Sequence, residues 1–320
     1  MRIVIAASAL ALSLPRRLTT TAIAGLSLLA VGCRQPQPGS GRPSVVAADG
    51  ALCDLTRRLA GSSLPVTCLL RPGDDPHQLQ LSPQQGRTLQ QASRILVNGY
   101  GLTPALERLP EAIKVAERAA PNSPRLDSPD GGGRDPHVWH DPRQAAAMVG
   151  VISSILRELS PSNGREIQRR EQAMVGALLA LDRWNREQFD SIPAPPLLAT
   201  SHRAFASLSR AYGLKERPLV DPHSSSDSVR PQELNEALAN LQRDHPARLF
   251  SDQQPPTRTM QRISSLSGIP IAAKPLQADA AMHNLMASLS DNTCLISESL
   301  QGRCDRRGQR ELIRRWESIR

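Results

Sequence analysis

Two rhythms alternate along the chain. Short apolar runs, many of them β-branched, at 45–48, 66–70, 95–98, 197–200, 249–251 and 269–273 are separated by stretches in which apolar positions recur every three or four residues. The first pattern is that of buried strands and the second that of amphipathic helices. Helices are predicted over 51–60 and 83–93, after Thr103, over 203–212, 231–242 and 257–267, and from about 280. Strand-then-helix alternation of this kind, run through twice, predicts an α/β protein of two lobes, each with a mostly parallel sheet flanked by helices.

Between the two halves the pattern becomes wholly helical. Asp141-Pro142 is an N-cap followed by proline at the first helical position, and Met148, Val149, Ile152, Ile155 and Leu156 follow at helical spacing. Ser160-Pro161 opens another helix, with Ile167, Met174, Leu178 and Leu181 in one stripe and no internal proline before about Phe189. Roughly 28 residues rising 1.5 Å each span about 42 Å, more than a helix inside one small domain needs. The expected plan is a first lobe over 44–160, a connector helix over 161–190 and a second lobe over 191–320.

The N-terminus follows different rules. Arg16-Arg17, an apolar run to Gly32 and small residues before Cys33 form the parts of an export signal over 1–32, too short to span a bilayer securely. Leu29-Ala30-Val31-Gly32-Cys33 resembles a bacterial lipobox, which would make Cys33 the lipidated first residue and attach the protein to a membrane; plain secretion is the alternative. Residues 33–43, rich in Gln, Pro and Gly, read as a flexible tether. Setting Cys33 aside leaves Cys53, Cys68, Cys294 and Cys304, an even number suited to an oxidising compartment. Three pairings are open. The local one is preferred, and a zinc-thiolate site lacks the expected C-x-x-C spacing.

The length, 320 residues, suffices for two cores. The formal charge of +9 falls to +6 without the three leader arginines, no dense basic run is present, and aromatics are 2%. Nothing here favours nucleic acid as a partner, and a monomer is expected.

The chemistry is concentrated in the seven histidines. His77 lies in Pro72-Gly-Asp-Asp-Pro-His, His137 in Asp135-Pro-His-Val-Trp-His-Asp-Pro, and His202 follows Leu197-Leu-Ala-Thr-Ser. Loops at the carboxyl ends of parallel strands face the ligand crevice, and the long intervals between these histidines suit ligands from separate βα units on both sides of a cleft. Neutral imidazoles suit zinc, and three of them leave a fourth tetrahedral position open. His140 is a candidate alternative ligand or supporting residue, while His223, His245 and His283 read as turn or helix-flank residues.

With Ser82-Pro83, Ser201-His-Arg-Ala-Phe and Tyr212-Gly-Leu, these blocks resemble the zinc- or manganese-specific substrate-binding proteins of ABC transporters, over about 45–300. The resemblance implies two α/β lobes joined by one long helix, with the metal held at the lobe interface by His77, His137 and His202. It implies capture of Zn2+, or alternatively Mn2+, for a membrane permease and its ATPase. One departure stands out. The family's fourth ligand is often the Asp of Asp-Pro-Leu-Gly, and here that stretch reads Lys274-Pro-Leu-Gln. A protonated lysine cannot ligate, so water, Asp279 or Asp252 is left to complete the site, or its affinity is lost. Three nitrogens favour zinc, since manganese prefers oxygen-rich shells. A secreted zinc hydrolase is the competing class, but no H-E-x-x-H or Gly-x-Ser-x-Gly motif is present. A surface adhesin or metal-buffering lipoprotein is a third possibility.

Overall fold

Val45 and Ala47 have no exposed surface, as expected for the central strand of a parallel sheet covered on both faces. This strand, β1 (Val45–Ala47), leads through α1 (Gly50–Ala60) to β2 (Val66–Cys68), then α2 (Pro83–Gln91), β3 (Arg94–Val97), α3 (Pro104–Glu107), β4 (Ala112–Lys114) and α4 (Val115–Ala119). The first sheet is parallel in the order β2-β1-β3-β4. Two long helices follow, α5 (Pro142–Leu159) and α6 (Gly164–Phe189). The second half contains β5 (Leu197–Thr200), α7 (Ala206–Tyr212), β6 (Lys215–Pro218), α8 (Pro231–Asp244), β7 (Leu249–Phe250), α9 (Arg258–Ser267), α10 (Leu285–Ser299) and α11 (Arg306–Glu317). Its sheet is parallel in the order β6-β5-β7. The expected two-lobed α/β architecture with a connecting helix is therefore present.

This computed structural model describes residues 42–71, 74–126, 133–193, 196–219, 230–279 and 284–319. The expected leader, Cys33, His223 and His283 lie outside the described residues. From Arg42 onward the chain forms one compact unit.

Each sheet has its first strand in the middle, so the chain departs to opposite sides of that strand. The resulting crevice at the strands' carboxyl ends is the usual place for a ligand. The connector α6 buries Ile167, Met174, Leu178 and Leu181, the whole expected stripe, in the first lobe's core. The helical turn at its start, Pro161–Asn163, is of the 3-10 type. Helices α10 and α11 fall within the expected 191–320 segment, yet Leu285, Met286, Leu289, Leu312 and Trp316 join the core formed by α1, α5 and α6. Ile296 and Leu300 meanwhile pack in the second lobe, so residues of α10 and its end reach both cores. Buried Asp54 on α1 fixes this return by accepting hydrogen bonds from Leu285 N (3.0 Å) and Trp316 Nε1 (2.9 Å).

Residues 269–273 depart from expectation. They make only a single parallel bridge, Leu249 with Ile271, and no strand. Pro270 lacks the N–H that would extend the ladder backward, and beyond Ile271 it is Leu276 N that donates to Ser251 O (2.8 Å). The pairing of the cysteines is local: Cys53 is bonded to Cys68, fastening α1 to β2, and Cys294 to Cys304, fastening α10 to the approach of α11.

Candidate metal centre

Two of the histidines are set by the same three-residue device. In Asp75-Pro-His77 and Asp135-Pro-His137 the aspartate Oδ1 accepts the backbone N–H of the histidine two residues later, at 2.9 Å in both cases. This is an Asx turn with proline fixing the middle φ, and it presents the imidazole at a defined angle from a loop. His77 then lies in a 3-10 turn, Pro76–Gln78, beyond β2. The following helix α2 is secured by a Ser82–Gln85 capping box, while Gln85 Nε2 donates to Leu69 O at the end of β2 (3.1 Å). His202 comes two residues after β5, the central strand of the second sheet. His137 does not follow a strand directly, contrary to the shared setting expected; it lies between α4 and α5 and is held there by Asn98 Nδ2 donating to Pro136 O (2.6 Å).

The fold brings the three together with a fourth residue. His77, His137, His202 and Asp279 each offer a ligand atom within 4.8 Å of all the others. Asp279 Oδ1 is 2.9 Å from His137 Nε2, and its Oδ2 is 3.4 Å from His202 Nε2. His77 Nε2, His137 Nε2, His202 Nε2 and Asp279 Oδ1 are all buried with no hydrogen-bond partner among the described residues. Lys274 is exposed and no member of this cluster, so the position left open by the Lys274 departure is met geometrically by Asp279, five residues further on.

The two other candidates stand behind the cluster. Asp252, just after β7, lies 2.9 Å from His202 Nδ1 and accepts Ser201 Oγ–H at 2.6 Å. His140 is buried against Phe205 with Nε2 3.1 Å from Ala278 O, the residue before Asp279. Asp135 plays the corresponding part for His137, with Oδ1 3.2 Å from Nδ1. A carboxylate on Nδ1 fixes the imidazole so that Nε2 faces the cluster. Asp-Pro-His at 135–137 carries a signal for this role, whereas the same motif at 75–77 sets only the backbone of His77 and the carboxylate on His202 comes from distant Asp252, which histidine spacing does not reveal.

Electrostatics follow from this packing. Burial opposes charge on His137, but Asp279 and Asp135 outweigh it and raise its pKa to about 9. For His202 burial is likewise outweighed, here by Asp252 and Asp279, and its pKa lies well above the usual value. Burial would raise Asp279, yet the neighbouring His137 and His202 hold it well below the ordinary carboxylate range. His77 has no carboxylate on its ring; burial and then the charge of His137 push it down to about 4. Two further acids lie nearby: buried Asp49 is raised to about 6 and half-buried Glu216 to about 7, both chiefly by desolvation.

Two imidazoles converging on one aspartate beside a third imidazole form a donor set of three nitrogens and one oxygen, which fits a divalent transition metal. Residues 45–298 match the family of the zinc-uptake complex component A, periplasmic. The chain belongs to this family. The zinc-binding protein TroA of Treponema pallidum is 30% identical over 232 residues, covering 70% of this chain and 74% of that protein. The solved structure of periplasmic TroA aligns with a TM-score of 0.73 at 26% identity, over 81% of this chain and 99% of the other. The manganese ABC transporter substrate-binding lipoprotein PsaA of Streptococcus pneumoniae is 25% identical over 73% of this chain and 80% of its own length. The iron-binding protein YfeA of Yersinia pestis is 26% identical over 76% and 80%. Membership makes the chain a substrate-binding protein of a metal transporter, and the metals named for its relatives differ.

Proposed function

We propose that this protein captures zinc outside the cytoplasm and hands it to an ABC permease driven by its ATPase, while tethered to the membrane through a lipidated Cys33. The observation that carries the reading is the convergence of His77, His137, His202 and Asp279 within one coordination sphere. Three imidazole nitrogens and one carboxylate oxygen make a closed tetrahedral set that matches zinc's preference. Manganese favours more oxygen ligands and six-fold geometry, which this set does not supply. With four protein ligands no position remains for an activated water, which speaks against the hydrolase alternative. The names of the relatives agree with transport, and several of them are lipoproteins.

Metal analysis of protein purified without chelators, followed by competitive titration with zinc and manganese, tests the assignment. One zinc per chain with zinc displacing manganese is expected. Preferential retention of manganese would overturn the choice of metal, and zinc-dependent ester or phosphate hydrolysis would overturn transport.

A further inference from the structure

Asp135 has two carboxylate oxygens, and they serve different lobes. Oδ1 holds His137, through the backbone N–H (2.9 Å) and the ring Nδ1 (3.2 Å). Oδ2 accepts both the backbone N–H (2.8 Å) and the hydroxyl (2.6 Å) of Ser207. Ser207 belongs to α7, in the second lobe, and neither residue has exposed surface. The backbone of Asp135 is anchored separately, since Ser123 Oγ donates to its carbonyl oxygen at 2.6 Å.

We propose that Asp135 is a positioning residue that makes the setting of His137 conditional on lobe closure, with Ser207 as its counterpart on the other lobe. This rests on the reading of His137 as a metal ligand. A fully buried carboxylate is stable only while its donors are in place. When α7 moves away from the first lobe, Oδ2 loses both donors at once. The carboxylate then turns toward other donors or water, and Oδ1 no longer fixes the ring of His137. Parting the lobes therefore loosens the ring of His137 in addition to drawing His202 and Asp279 away from it. By thermodynamic reciprocity, bound metal, which needs His137 in its held orientation, strengthens the Asp135–Ser207 contact. A permease that pries the lobes apart would release cargo through this link.

The test compares zinc-loaded and metal-free protein. Amide hydrogen exchange at Ser207, whose N–H is bonded to Asp135, is expected to slow by about tenfold when zinc binds, and S207A is expected to weaken zinc binding by about tenfold, within the range for groups that support a metal ligand. S207T, which keeps the hydroxyl, restores most of the affinity. H77A is measured in parallel. Lost affinity in H77A with wild-type affinity in S207A overturns the coupling alone, whereas wild-type affinity in H77A overturns the metal site itself. If S207A does not fold, exchange at Ser207 in the unaltered protein decides, and exchange insensitive to zinc contradicts the proposal.

Discussion

At the scale of single residues, the proposed site consists of four converging donor groups and the carboxylates that aim them. Sharing the roughly 10–16 kcal/mol typical of a four-ligand zinc site among its members gives about 3 kcal/mol each, so D279A should weaken zinc binding roughly hundredfold. K274A should leave it unchanged, because Lys274 is exposed and outside the cluster. A chelator-competition titration of both variants checks this, and the reverse ranking would return the fourth position to the Lys274 segment. Protons compete with the metal at these atoms. With His137 raised to about 9 and His202 also raised, the empty site holds protons at pH 7 that cargo must displace. Roughly one to two protons should leave per zinc at pH 7, fewer as pH approaches 9, with affinity rising over the same interval. Calorimetry in buffers of different ionisation enthalpy measures the count. The same raised pKa sets a stability trend for the metal-free protein. The contribution of His137 is complete below its unfolded value near 6.5 and is lost as pH rises through about 9, so its melting temperature should fall across that window. Much at this scale was legible: the three histidines and the alternatives Asp279, Asp252 and His140 were all in view from sequence. What spacing could not say is which of the latter meets the cluster and which stands behind it. That depends on how Asp252 after β7 and Asp279 after the Ile271 bridge come together around β5, through contacts between segments distant in sequence.

At the scale of elements, legibility followed apolar periodicity. The helix stripe at Ile167, Met174, Leu178 and Leu181 was plain because tertiary packing and sequence period agree. Strand β6 was not, since Lys215-Glu-Arg-Pro carries no aliphatic residue and owes its conformation to pairing with β5. Helix α11, mostly charged, is likewise hard to separate from a solvated tail, although Leu312 and Trp316 anchor it. Trp316 is fully buried and donates to Asp54. W316A should cost about 3–5 kcal/mol, as expected for emptying a large aromatic site. Denaturant unfolding measures this, and a loss below about 1 kcal/mol would mean that α11 is dispensable to the first lobe's core. Reducing Cys53–Cys68, with its 15-residue separation, should remove about 3 kcal/mol by the loop-closure argument, read in the same experiment on C53S/C68S.

At the scale of the whole molecule, α6 and α10 tie the lobes together, and the chain's return to Asp54 adds a second link beside the connector. Cargo exchange should accordingly proceed by small lobe displacements around a stiff spine. Hydrogen exchange along α6 is expected to stay slow with and without zinc, and broad loss of protection there on metal removal would instead indicate a hinge within the connector. All of this depends on where the metal sits. Anomalous diffraction from zinc-loaded crystals, collected on both sides of the zinc absorption edge, tests it most directly. One strong peak per chain is expected, bonded at about 2.0–2.2 Å by nitrogens of His77, His137 and His202 and an oxygen of Asp279. A zinc peak elsewhere, or none among these four residues, would contradict it.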